Sequence, residues 1–87
     1  MKKETIIVYS DPGHAWGRVK RETLFTLGVA HKVSHYSYQK GKYVYLEEDC
    51  DLSMVCKALD NVGVSIVFVE KHTNNRSSIR RHESFAC

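Results

Sequence analysis

The segment that most constrains the fold is Thr5–Tyr9, whose residues (TIIVY) are all β-branched or aromatic. Because apolar side chains occupy both odd and even positions, a β-strand here presents apolar groups to both faces of a sheet. We therefore predict a central strand that is covered on both faces. The chain has 87 residues, which is enough for one domain with a thin core.

The rest of the chain predicts a small α+β domain whose second half is α/β-like. Strands are expected at Trp16–Val19 and Val64–Glu70. Helices are expected at Arg21–Leu27 and Leu52–Asn61, the second with Asp51 as its N-cap. With a hairpin between the helices, the result is a small mixed sheet of about four to five strands, in the approximate order β-β-α-β-β-α-β.

The hairpin is predicted from two segments of alternating hydrophobicity that flank Lys40-Gly41, where we place a two-residue loop. The predicted register pairs tyrosines across the hairpin and lines up four rings on one face: Tyr36, Tyr38, Tyr43 and Tyr45. A row of aromatic rings beside basic groups is typical of surfaces that stack nucleobases. The competing interpretation is structural and more frequent, because cross-strand aromatic pairs stabilise hairpins by themselves.

Residues 1–71 are predicted to form the domain, and residues 72–87 a basic C-terminal tail. The net charge of the chain is +3, and all of it lies after residue 70. Three arginines of the tail are candidates for bidentate phosphate binding: Arg76, Arg80 and Arg81. Alternatively, the tail docks on the domain through two apolar anchors, Ile79 and Phe85.

A further candidate site is the loop Asp11–His14 (DPGH), because ligands of α/β proteins bind where loops follow the carboxyl ends of strands. Asp11 and His14 could form an acid–base pair, and Trp16 could stack on a ligand. An ordinary turn is the more frequent alternative, since Asp-Pro-Gly is a common turn sequence. We assign no catalytic residue, no metal ligand and no cofactor.

The cysteines are Cys50, Cys56 and Cys87, and the chain has no CxxC pair, so neither a disulfide framework nor a zinc site is predicted. The apolar run near the N-terminus is too short for a secretory signal peptide. No segment approaches the roughly 20 apolar residues of a membrane span. A cytoplasmic protein without membrane contact is therefore expected.

Three stretches together carry a resemblance: DPGHAW at 11–16, YSYQKGKYVYLEEDCD at 36–51 and HTNNRSSIR at 72–80. They resemble a group of small proteins of unknown function that bacteriophages and prophages encode, with DPGH-x-W, YSYQ and YLEEDCD motifs. That group has no assigned activity, so the resemblance implies a setting and no mechanism. The implied setting is that of an accessory protein in the cytoplasm of an infected bacterium.

The sequence favours a non-enzymatic binding module for an anionic, base-containing ligand, either nucleic acid or a signalling nucleotide. The predicted ligand-binding residues are Tyr36, Tyr38, Tyr43, Tyr45, Arg76, Arg80, Arg81, His14 and Trp16. One alternative is an inhibitor that binds a host bacterial protein. A second is a metal-dependent phosphodiesterase or hydrolase built on Asp11, His14 and the acidic residues of 47–51. A homo-oligomer is also compatible with so small a core.

Overall fold

The computed structural model describes residues 2–74 and 77–85. Within these residues the strands are β1 (Lys2–Ser10), β2 (Ala15–Lys20), β3 (Tyr38–Lys40), β4 (Tyr43–Glu47), β5 (Val64–His72) and β6 (Glu83–Ser84). The α-helices are α1 (Arg21–Thr26) and α2 (Ser53–Asn61). Shorter helical turns occupy Ala30–Lys32, Glu48–Leu52 and Ser78–Arg81. The predicted α+β class with two helices is thus confirmed.

The six strands form one mixed sheet in the order β5-β1-β2-β4-β3-β6. The β1–β5 pair is parallel, and the other four pairs are antiparallel. The predicted order of elements is followed as far as β5, but the sheet has one strand more than predicted. That strand is β6, which comes from the tail. Its two residues are too few to produce a periodic signal in the sequence.

Both α-helices lie on the same face of the sheet, and the core lies between them and the strands. The core combines residues from three strands and both α-helices: Ile6, Val19, Val44, Leu46, Leu24, Val55 and Leu59. The opposite face, which we call the open face, carries no α-helix in the described part of the chain. The prediction that β1 is covered on both faces is therefore wrong, since Thr5 on the open face is exposed.

The hairpin of β3 and β4 forms in a different register from the predicted one. Tyr38 pairs with Tyr45, and Lys40 pairs with Tyr43, so the two-residue loop is Gly41-Lys42. Gly41 has a φ of 59°, and glycine is favoured at the first position of such a loop because it tolerates a positive φ there. The register differs by two residues, which leaves the side chains of β3 and β4 on their predicted faces.

Glu47, not Asp51, caps the helical segment that follows β4. Its carboxylate accepts hydrogen bonds from the backbone N–H groups of Asp49 and Cys50, at 2.8 and 3.0 Å. Asp51 lies inside the turn Glu48–Leu52, which is π-helical, and its side chain faces inward. The predicted N-cap role of Asp51 is wrong because this extra turn precedes α2.

β5 and β6 lie at opposite edges of the sheet. Residues 77–85 of the tail include β6, and we call them the C-terminal segment. Between β5 and β6, Arg80 lies over the ring of Trp16, and His82 packs on Tyr45 with ring centroids 5.1 Å apart. Both apolar residues of this segment are buried, with Ile79 4% and Phe85 5% exposed. The segment thus covers part of the open face.

None of the helices in the described residues has the length and apolar character needed to span a bilayer.

Candidate functional site

The candidate site lies at the end of the sheet that is formed by the carboxyl ends of β1 and β4. The two strands are parallel to each other, because both pair antiparallel with β2. The loop after β1 supplies His14, and β4 ends in Glu47, 33 positions further along the chain. The carboxyl ends of parallel strands thus bring together residues from distant parts of the sequence, as they do in α/β proteins.

A cavity of about 270 Å³ opens at this end of the sheet, with aromatic and acidic groups in its lining. The aromatic residues are Trp16, Tyr36 and Tyr38, and the centroids of the Trp16 and Tyr38 rings are 6.2 Å apart. The remaining lining residues are His14, Glu47, Asp49, Cys50 and Arg80. Aromatic rings and a few polar groups that converge on one concavity are typical of sites for small planar ligands.

Trp16 is the most buried residue of this lining. It is the one tryptophan of the chain and is 2% exposed. The guanidinium of Arg80 lies 5.2 Å from its ring centroid. Its indole Nε1–H is buried and meets no hydrogen-bond acceptor among residues 2–74 and 77–85. Burying a donor without an acceptor costs free energy, so this group destabilises the folded chain slightly.

Asp11 forms a structural cross-link and not the expected acid–base pair with His14. Its carboxylate accepts hydrogen bonds from the backbone N–H groups of Gly13, His14 and Ser77, each at 2.9 Å. Arg80 donates to both of its oxygens, at 2.8 and 3.0 Å. The Arg80 guanidinium and these N–H groups hold the pKa of Asp11 well below its usual range. The carboxylate is therefore ionised and engaged on both oxygens.

The side chains of His14, Glu47 and Asp49 form a compact cluster at the acidic side of the cavity. Nδ1 of His14 lies 3.2 Å from Oε1 of Glu47. One potential ligand atom from each of the three residues lies within 4.8 Å of the others. His14 and Asp49 are exposed, whereas Glu47 is buried. Imidazole and carboxylate groups in this arrangement can share a cation or accept hydrogen bonds from a ligand.

A buried hydrogen-bond network holds the chain behind this cluster. The hydroxyl of Ser37 donates to Asp51 at 2.5 Å and accepts from the backbone N–H of Glu47 at 2.9 Å. Asp51 also accepts from the backbone N–H and the hydroxyl of Ser34. The network joins the segment before β3, the end of β4 and the turn before α2, and so positions Glu47.

Cys50 is an unfavourable nucleophile although it lines the cavity. Desolvation raises the pKa of its thiol, and Glu47, Asp51 and Asp49 raise it further because their charges oppose a thiolate. The thiolate is the reactive form of cysteine, so this environment suppresses thiol chemistry.

The predicted ligand-binding residues separate into groups. Five of them line the cavity: His14, Trp16, Tyr36, Tyr38 and Arg80. Tyr43 and Tyr45 lie on the open face outside the cavity, Arg81 is exposed, and Arg76 lies outside the described residues. Tyr36 precedes β3 and does not extend the tyrosine row, since it is 60% exposed and stacks on His35.

Glu47, Asp49 and Cys50 line the cavity but are not among the ligand-binding residues that the sequence predicts. Their signal is the acidic run 47–51, which directly follows a predicted strand. Recognising it as half of a site requires knowing that β1 and β4 run parallel, which no local pattern reveals.

No protein-family model, no curated protein and no solved structure matches the chain.

Proposed function

We propose that this protein is a binding module for a small base-containing ligand, with a single nucleotide as the best fit. The observation that carries the proposal is the convergence of Trp16, Tyr36 and Tyr38 on one cavity that also contains hydrogen-bonding side chains. Aromatic faces stack on any nucleobase, and each stacked ring contributes about 1–3 kcal/mol. The polar groups of His14 and Glu47 can then bond the edge of the base or the sugar.

The size of the cavity supports one nucleotide over a strand of nucleic acid as its occupant. Its volume of about 270 Å³ lies just below the usual range for small-ligand sites, which is about 300–1,000 Å³. The tail also crosses the open face beside the cavity, where His82 packs on Tyr45. A base row along the tyrosines, as the sequence pattern predicts, would have to displace this segment.

A second candidate function is contact with a longer nucleic acid through the part of the open face around Tyr43. Arg18 lies over the Tyr43 ring at 4.3 Å from its centroid, and Lys42 lies at 5.6 Å. Lys20 and Lys40 are the cross-strand neighbours of Tyr43 on either side. Basic groups interleaved with an aromatic ring favour single-stranded nucleic acid, with an affinity that falls steeply as salt rises.

Binding is favoured over catalysis by the state of Asp11, one of the residues that the hydrolase hypothesis uses. Asp11 is held by Arg80 and by backbone N–H groups, so it is not free to transfer a proton. The binding of a host protein is a separate hypothesis, favoured if neither nucleotides nor oligonucleotides bind.

The test is a titration of intrinsic tryptophan fluorescence, because the single Trp16 lies in the cavity lining. We expect purine nucleoside monophosphates to change the emission saturably at low salt. Tyr36→Ala should weaken binding by about 5- to 150-fold, the equivalent of one lost stacking contact. The mutation should hardly affect stability, since Tyr36 is 60% exposed.

Tyr43→Ala is the matched control, because Tyr43 shares the open face but lies outside the cavity. It should leave mononucleotide binding unchanged and weaken only the binding of oligonucleotides. If Tyr36→Ala and Tyr43→Ala behave alike towards mononucleotides, or if no mononucleotide changes the fluorescence, the cavity is not the binding site.

A further inference from the structure

The charges of the cavity create a problem for any phosphate-containing ligand. Two carboxylates line it, those of Glu47 and Asp49, and Arg80 is the one guanidinium among its lining residues. Arg80 is already paired with the carboxylate of Asp11. The lining therefore repels a phosphate unless another positive charge enters the cavity with it.

The cluster of His14, Glu47 and Asp49 has the geometry of a cation site. Two ligands that bind one ion at about 2.0–2.2 Å lie about 3.0–3.5 Å apart when they occupy adjacent positions. The Nδ1 atom of His14 and Oε1 of Glu47 are 3.2 Å apart. The carboxylate of Asp49 lies within 4.8 Å of both and is exposed, so a rotation of its side chain brings it to the same ion.

The surrounding backbone holds two of these ligands in place. Oε2 of Glu47 accepts hydrogen bonds from the N–H groups of Asp49 and Cys50, which leaves Oε1 directed at His14. The backbone N–H of His14 donates to Asp11, which fixes the start of β2 beside the cluster. Hydrogen bonds that orient the ligands are a regular feature of protein metal sites.

A second feature of the same cavity is an unsatisfied hydrogen-bond donor. Trp16 lines the cavity and is 2% exposed, and its Nε1–H meets no acceptor in the described chain. Because Nε1 itself is buried, a phosphate oxygen accepts from it only when the neighbouring side chains of the lining move apart.

We propose that His14, Glu47 and Asp49 bind a divalent transition-metal ion that receives the phosphate of the nucleotide. This inference rests on the proposed function for its phosphate part only. One imidazole with two carboxylates favours Mn²⁺ or Zn²⁺ over Mg²⁺ and Ca²⁺, which prefer oxygen ligands alone. Cys50 lies in the lining but outside the ligand set.

The first experiment is calorimetric titration of the full chain with MnCl₂ and ZnCl₂. We expect one ion per chain. His14→Ala and Asp49→Asn should each weaken ion binding by at least about tenfold, whereas Cys50→Ser should leave it unchanged. The matched controls are His31→Ala and Asp60→Asn, which change exposed residues outside the cavity. Glu47 is left intact because it also caps the turn before α2.

The ion site is overturned if wild-type protein binds neither ion, or if Asp49→Asn binds as well as Asp60→Asn. If Cys50→Ser loses ion binding and Asp49→Asn retains it, the proposed ligand set is wrong. Circular dichroism of each variant shows that it is folded, so that lost binding is not confused with lost structure.

The second experiment tests the phosphate by comparing a nucleoside with its monophosphate, with and without Mn²⁺. We expect Mn²⁺ to raise the affinity for the monophosphate about tenfold or more and to leave the nucleoside unaffected, with the same coupling seen in the reverse order of addition. Equal nucleotide affinity with and without the ion overturns the inference while the proposed function stands. Ion binding without binding of either nucleoside or nucleotide refutes the proposed function and retains the ion site.

Discussion

At the scale of single residues, the side chain of Asp11 makes more hydrogen bonds than any other side chain of the loop after β1. It joins this loop to the C-terminal segment through Ser77 and Arg80, across 66 and 69 positions of sequence. Its side chain is 1% exposed, so the ion pair with Arg80 is largely shielded from solvent. Asp11 therefore stabilises the turn of Asp-Pro-Gly through its hydrogen bonds within the loop. It also adds a long-range contact to this turn.

The low pKa of Asp11 predicts an acid-dependent loss of stability. Because the Arg80 guanidinium lowers this pKa in the folded state, folding is favoured fully above the unfolded pKa of about 3.9 and progressively less below it. Asp11→Asn should be less stable than wild type at neutral pH, and the difference should shrink as the pH falls below about 4. Urea denaturation at a series of pH values measures both effects.

Asp60→Asn is the control for this prediction, since Asp60 is exposed and none of the described hydrogen bonds involves its side chain. It should match wild type throughout the pH series. A deficit in Asp11→Asn that is the same at acid and neutral pH would mean that the ion pair is not the cause.

At the scale of elements, the network around Ser37 decides where β4 ends and how the acidic turn is held. Ser37 is fully buried and connects Asp51 to the backbone of Glu47. Ser37 and Asp51 belong to no periodic hydrophobic pattern, so the sequence does not predict the network. It explains why Asp51 faces inward and does not cap α2.

Ser37→Ala should lower the free energy of unfolding by about 1–3 kcal/mol, because it removes hydrogen bonds from two buried partners. It should also weaken ligand or ion binding, since Glu47 loses its support. Ser53→Ala is the matched control at an exposed position of α2 and should change stability by less than about 0.5 kcal/mol. Urea unfolding measures both, and equal stability of the two variants would exclude the structural role of Ser37.

At the scale of the whole molecule, the C-terminal segment is a part of the fold. It crosses the open face, supplies β6 and buries Ile79 and Phe85. Phe85 joins the core on the helix side, and its backbone N–H donates to the carbonyl oxygen of Ser37. Residues 77–85 therefore pack against the rest of the domain, with Ile79 and Phe85 as the buried side chains.

Phe85→Ala should lower the free energy of unfolding by about 3–5 kcal/mol, the usual cost of removing a buried phenyl ring. Phe25→Ala is the control, because the Phe25 ring of α1 is 53% exposed. It should cost far less. Chemical denaturation of the two variants distinguishes a docked segment from a loose one, and a similar small loss in both would indicate a loose one.

Patterns of local periodicity predict both α-helices and every strand except β6, whose two residues carry no periodic signal. β1, β5 and α2 were predicted close to their observed positions, because burial on one or both faces imprints a period of two or 3.6 on neighbouring residues. The faces of Tyr38, Tyr43 and Tyr45 were also predictable despite the wrong register, since a shift of two residues preserves them.

The sequence by itself thus determined the α+β class, most of the elements and the face on which the tyrosines lie. Only the tertiary structure decided that His14 meets Glu47, that Arg80 pairs with Asp11, and that the tail adds β6 to the edge of the sheet. The physical reason is distance along the chain. A periodic hydrophobic pattern indicates which of its own positions are buried, and it carries no information about which distant residues they contact.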